Sequence, residues 1–203
     1  MPMNRSILII FLFASSTISG CLGGEEEASD DMVVLPILED PCLIPSSLMT
    51  QSLTSIEVNG VEREFRLSAP SSEPGTRLPL VIAFHGGTDS QEDFAQQEQF
   101  DQLGEQEKFV MAYAIAEQDR TAAEGEWFLN TAATSEEDNN FAEAIVDELS
   151  ESYCIDQYRL YAIGYSLGAM FTYEIACQLN HRFAATASFA GTMPVNPESC
   201  DLA

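Results

Sequence analysis

Positive charge is scarce in this sequence. Lysine and arginine together number 8 against 33 aspartates and glutamates, giving a formal charge of −25, and Lys108 is the only lysine. A chain this acidic is repelled by nucleic-acid phosphates and anionic headgroups, which excludes nucleic acid as a partner. The acids are spread along the chain, as on a solvated surface whose self-repulsion salt would screen. Histidine is rarer still. There are two, His85 and His181, which restricts both metal ligation and general-base chemistry. The five cysteines show no metal-site spacing, so no zinc site is expected, and the sequence calls for no organic cofactor. No apolar run reaches the roughly 20 residues that a membrane-spanning helix needs.

What is present starts with an address. Arg5 precedes the short apolar run Ile7 to Phe13, the layout of a secretory signal peptide. Ile18-Ser19-Gly20-Cys21 follows and resembles a bacterial lipobox, with isoleucine at a position where leucine is commoner. The reading is cleavage before Cys21, acylation of Cys21, and a cell-envelope lipoprotein or extracellular protein that meets the membrane only through its lipid. Acyl chains insert at about 0.8 kcal/mol per buried methylene. Residues 21–50, first acidic and then marked by Pro36, Pro41 and Pro45, read as a tether and irregular lead-in. Residues 51–203 read as the folded domain. With Cys21 lipidated, Cys42, Cys154, Cys177 and Cys200 remain, enough for two disulfides in any of three pairings.

Within the domain, Ser55 to Val58 and Val61 to Leu67 alternate apolar and polar around Asn59-Gly60, the signature of a hairpin. Leu80 to Phe84 and Phe109 to Tyr113 are continuous apolar runs, as expected of central strands covered on both faces. Arg159 to Ile163 and Ala184 to Ala190 read as further strands, the last one buried. Ser90 caps a predicted helix that carries Phe94, Phe100 and Leu103 and ends near Gly104. Ser135-Glu136-Glu137-Asp138 reads as a solvated helix start, ahead of Phe141, Ala144, Ile145, Val146 and Leu149. The acid run lacks the spacing of a calcium loop. Leu167 to Leu179 is a helix with Met170, Tyr173, Ala176 and Cys177 along one stripe. Gln118 to Ala133 is a long loop in which Trp127 and Phe128 either reach a cleft or anchor the core. Strands alternating with helices indicate an α/β domain with a mainly parallel sheet.

Gly164-Tyr165-Ser166-Leu167-Gly168 matches G-x-S-x-G between a predicted strand and a predicted helix, the context of a nucleophile elbow. The turn lifts the Ser166 hydroxyl above the sheet, and the helix N-terminus offers the Leu167 N–H to a developing oxyanion. His85-Gly86-Gly87 ends the first central strand, where hydrolases of this plan supply a second oxyanion donor; Gly87 is the candidate. Each such donor lowers the barrier by about 3 kcal/mol.

These motifs resemble the polyhydroxybutyrate depolymerase and feruloyl esterase family of α/β-hydrolases. The resemblance runs through Leu80 to Asp93, Phe109 to Tyr113, Asp138 to Ile145 and, above all, Tyr153 to Gly191, about half to two-thirds of the chain. The family often has asparagine where Leu167 stands. The resemblance implies a three-layer α/β-hydrolase sandwich, ester hydrolysis by Ser166 through an acyl-serine, a polymeric or aromatic ester as substrate, and a Cys154–Cys177 disulfide. It places His85 in the oxyanion loop rather than as the base. Family members continue into further strands that carry the acid and the histidine, and those strands are expected to be missing here. His181 lies beyond the elbow helix, roughly 20 Å from Ser166, and Glu198 and Asp201 have no histidine to orient. The expectation is a serine ester hydrolase, inactive as written if its triad is incomplete. The alternatives are a non-catalytic envelope-binding module, or a peptidase or thioesterase on the same scaffold.

Overall fold

In the computed structural model, residues 40–87, 99–116, 127, 129 and 135–193 are described. Strands β1 (Thr50–Val58) and β2 (Val61–Ala69) form the expected hairpin, paired antiparallel from Thr50↔Ala69 to Val58↔Val61. Its turn works because Asn59 and Gly60 both hold positive φ, 53° and 81°, as a two-residue hairpin turn requires. Then come β3 (Leu78–Phe84), α1 (Gln99–Glu107), β4 (Val110–Ala114), α2 (Ser135–Ser152), β5 (Ile155–Tyr165), α3 (Leu167–Gln178) and β6 (Ala185–Phe189). The sheet order is β1-β2-β4-β3-β5-β6. β4, β3, β5 and β6 are parallel, and the hairpin adds two antiparallel strands at the β4 side.

The alternation of side chains along the strands builds three layers. Leu80, Ile82 and Phe84 of β3 join Val110, Ala112 and Ala114 of β4 in the main core, sealed by Phe141, Ile145, Phe171 and Ile175 from α2 and α3. Ala83, Met111 and Tyr113 point to the other face, against Phe100 and Phe109. This is the α/β-hydrolase sandwich that the motifs implied.

Several elements differ from the sequence reading. The helix expected to end near Gly104 runs to Glu107, and Ser90 and Phe94 lie outside the described residues. The last strand is not buried: β6 is half-buried at its centre and exposed at both ends, because it forms one margin of the described sheet. The buried stripe of α3 is Gly168, Ala169, Phe171, Thr172, Glu174 and Ile175; Met170, Tyr173 and Cys177 are only half-buried and Ala176 is exposed. Asp138 is not solvated. It is fully buried, 3.0 Å from Arg63 of β2, whose guanidinium also lies 4.1 Å over the Phe141 ring. A buried carboxylate is tolerated only with such a partner, so this acid ties the first turn of α2 to the hairpin.

The Cys154–Cys177 pairing is overturned. Cys154 is bonded to Cys42, with Cα atoms 4.4 Å apart, and Cys177 is disulfide-bonded elsewhere. The cause is the lead-in. A 3-10 turn at Pro41–Leu43, capped by the Asp40 side chain, is held by Gly75 N–H donating to the Cys42 carbonyl at 2.6 Å. Leu78 N–H donates to the Cys154 carbonyl at 2.8 Å, so the same stretch of chain brings the two cysteines together at the start of β5.

Candidate active site

Ser166 sits between β5 and α3 with φ 52° and ψ −113°. Positive φ is costly for a residue with a Cβ and persists only where neighbours enforce it. They do so here by contact. A Cβ on Gly164 would collide with the backbone of Gly168, and one on Gly168 would collide with the carbonyl oxygens of Phe84 and His85. Glycine at both positions therefore lets the strand fold back onto the helix, and lets the helix start press against the end of β3. Ser166 N–H donates to the Phe189 carbonyl of β6 at 2.9 Å, and the Ser166 carbonyl accepts from Met170 N–H at 3.1 Å, opening the helical ladder. The Ser166 side chain makes no capping hydrogen bond, so its half-buried hydroxyl is not spent on the helix. Thr172 and Ser188 share a 2.6 Å hydroxyl contact that further fastens α3 to β6.

Leu167 is the first residue of α3, so its N–H has no acceptor within the helix. Gly87 lies beside it: a Cβ on Gly87 would come 3.2 Å from the Leu167 side chain. The fold thus brings Ser166, Leu167 and Gly87 to the same end of adjacent strands, at the N-terminal pole of α3, where the helix dipole favours negative charge.

His85 is 2% exposed and both ring nitrogens are engaged. Nε2 receives the Ala116 N–H at 3.2 Å, and Nδ1 lies 2.7 Å from the Gly86 carbonyl. A backbone N–H can only donate, so Nε2 is unprotonated and Nδ1 carries the hydrogen. That ring is engaged with the backbone through both nitrogens. His181 is exposed, past the C-terminal end of α3. Glu198, Asp201, Cys21 and Phe128 lie outside the described residues. Trp127 does not line a cleft. It is 3% exposed, with its ring stacked on Phe171 at 5.5 Å and edge-on to Phe84 at 5.0 Å, while its Nε1–H donates to the His85 carbonyl at 2.8 Å. Sequence reasoning missed this link. Its only signal was the pairing of a lone tryptophan with a buried strand end far away in sequence.

Behind the elbow, Glu174 of α3 is 1% exposed. Gln178 Nε2 donates to its Oε2 at 2.9 Å, Asn139 Nδ2 donates to Gln178 Oε1 at 2.5 Å, and Glu174 Oε1 has no hydrogen-bond partner. Burial without a cation pushes this carboxyl above the ordinary glutamate range. Among the described residues no cluster of histidine, cysteine and acids is arranged to hold a metal ion.

Comparison with known proteins bears on family and fold. The family model described as Esterase PHB depolymerase matches residues 64–200. NocK of Nocardia uniformis subsp. tsuyamanensis, an esterase by name, is 29% identical over 160 residues, which is 75% of this chain and 45% of NocK. The bifunctional acetylxylan esterase/xylanase XynS20E of Neocallimastix patriciarum is 28% identical over 65% of this chain and 18% of its own. The chain thus spans less than half the length of these two relatives. Among solved structures, an acetyl xylan esterase from Aspergillus awamori superposes with TM-score 0.59 at 21% identity, covering 70% of this chain and 53% of that one. A ferulic acid esterase superposes with TM-score 0.58 at 13% identity, covering 71% and 60%. At such identities these likenesses establish the fold alone. Because that family match takes in β3 to β6, most of β2 and both elbow glycines, the chain belongs to the PHB depolymerase esterase family of α/β-hydrolases.

Proposed function

We propose that this protein is an exported, lipid-anchored serine ester hydrolase that works by acyl transfer. The observation that carries the reading is the uncapped Ser166 hydroxyl on a strained turn, beside Gly87 and the first N–H of α3. Ser166 Oγ attacks the ester carbonyl, and the N–H groups of Leu167 and Gly87 receive the oxygen that becomes negative. The alcohol leaves with a proton, and water then releases the acid from the acyl-serine. Because the donors are fixed before the charge forms, they cost no reorganisation during reaction.

His85 is bound to the backbone and His181 lies past the far end of α3, so the reading assigns nucleophile and oxyanion donors only. A serine with no positioned base reacts orders of magnitude more slowly than a complete triad, while oxyanion binding by itself sustains residual catalysis. The expected outcome is selective labelling of Ser166 by a fluorophosphonate probe, abolished in Ser166→Ala, with slow turnover of a p-nitrophenyl ester. Labelling that persists in Ser166→Ala would remove the hydrolase reading, as would binding of esters with no labelling at all. The neighbouring acetylxylan and ferulic acid esterases, together with the exported setting, support a polymeric or aromatic acyl ester as substrate. The anchor rests on Ile18-Ser19-Gly20-Cys21. Cys21→Ser should shift the protein from the detergent to the aqueous phase on detergent partitioning; an unchanged distribution would refute lipidation.

A further inference from the structure

The geometry points to Trp127 and His85 as positioning residues that together aim the Gly87 N–H at the reacting oxygen. The inference rests on the proposed role of Gly87 but adds residues that do not themselves touch substrate. It begins with the peptide plane. In a trans peptide the carbonyl of one residue and the N–H of the next point in opposite directions. The Gly86 carbonyl is held 2.7 Å from His85 Nδ1, on the buried side of the loop. The Gly87 N–H of that same peptide must therefore point away from the imidazole. His85 is buried whereas Gly87 is only half-buried and packs beside Leu167, so the inferred direction of this N–H is toward the elbow.

The aim depends on one tautomer of His85. Only Nδ1–H can donate to the Gly86 carbonyl, and Ala116 N–H at 3.2 Å from Nε2 enforces that form. Protonation of Nε2 would set two donors against each other.

Trp127 fixes the preceding peptide. Its Nε1–H donates to the His85 carbonyl at 2.8 Å, and its ring lies 5.1 Å from the imidazole. The same indole stacks on Phe171, one turn into the helix that begins at Leu167. One side chain thus touches both the loop that carries Gly87 and the helix that carries Leu167. A change in its contacts alters the spacing of the two donors even though it lies beneath them. Glycines at 86 and 87 offer little resistance to rotation of their own, so the restraint has to come from such side-chain contacts.

The test uses the full-length protein and four variants. Trp127→Phe keeps an aromatic ring over Phe171 and removes only the donor. His85→Asn keeps a donor at the position of Nδ1, whereas His85→Leu has none; Ser166→Ala is the blank. Two readouts are taken: the maximal rate and half-saturating concentration for fluorophosphonate labelling of Ser166, and hydrogen exchange of the Gly87 amide by NMR. Trp127→Phe and His85→Leu should lower the maximal rate on the order of 10- to 100-fold with the half-saturating concentration little changed, because donors act in the transition state. Both should also alter Gly87 exchange, and His85→Asn should restore most of the rate. Rates within about twofold of wild type, with Gly87 exchange unaltered, would overturn the positioning role while leaving the hydrolase reading intact. If the wild type is not labelled, the hydrolase reading fails, and Gly87 exchange then decides: altered in Trp127→Phe it supports the positioning role, unaltered it overturns it.

Discussion

The two faces of the sheet are built from neighbouring residues of the same strands, yet they end differently. On one face, Leu80, Ile82 and Phe84 lie under α2 and α3 with no solvent exposure, and Trp127 closes the end nearest Ser166. On the other, α1 is the helix described, and an apolar groove of about 290 Å³ runs beside it, lined by Val81, Phe100, Leu103, Phe109, Met111 and Ile163. The lesson concerns where rigidity is needed. The turn at Ser166, the segment from His85 to Gly87 and the Trp127 ring that supports it all rest on the filled face. A strained φ at Ser166 survives only where surrounding contacts over-determine it.

Truncating one phenylalanine on each face would test this contrast most strongly. Phe171→Ala removes a fully buried ring that touches Phe84 and Trp127, and should destabilise the protein by about 3–5 kcal/mol. Phe100→Ala removes a half-buried ring at the groove and should cost about 1 kcal/mol, since little new cavity is made. Urea unfolding of both variants decides it; equal losses would mean that the two faces are packed alike.

A smaller effect sharpens the comparison within the filled face. Burial raises the Glu174 carboxyl above its ordinary range. At pH below that range the group is protonated in both the folded and unfolded chain, and there is no penalty. As pH rises, the unfolded chain releases its proton first, so folding must retain a proton or bury a charge, and stability falls up to the raised value. Glu174→Gln is neutral and offers an N–H₂ donor in place of the unpartnered Oε1. It should therefore be more stable than wild type near neutral pH, with the gap closing as pH drops through the glutamate range. A gap independent of pH in denaturation curves would show that Glu174 ionises as it would in water.

How much of this was readable in advance depended on the range of the interaction. The hairpin at Asn59-Gly60 and the elbow at Gly164 to Gly168 were legible because each demands particular residues within a few positions. The end of α1 was misplaced because Gly104, a usual helix terminator, is instead buried inside the helix against Phe109. Asp138 read as a surface acid because Arg63, its partner, is 75 residues away. The disulfide was mispaired because a separation of 112 residues leaves no local trace, and only the docking of the Pro41 turn beside β5 chose Cys42.

By itself the sequence determined the order of strands and helices and the tight strand-to-helix turn at Ser166, since periodicity and tight turns are local properties of the chain. Tertiary structure alone decided what those elements meet. It packed one sheet face against α2 and α3 and shaped a groove beside α1 on the other, tied His85 to Gly86 and Ala116, and put Trp127 against the His85 carbonyl. Such outcomes depend on which distant side chains share a buried space, and a string of residues carries no distances until it is folded.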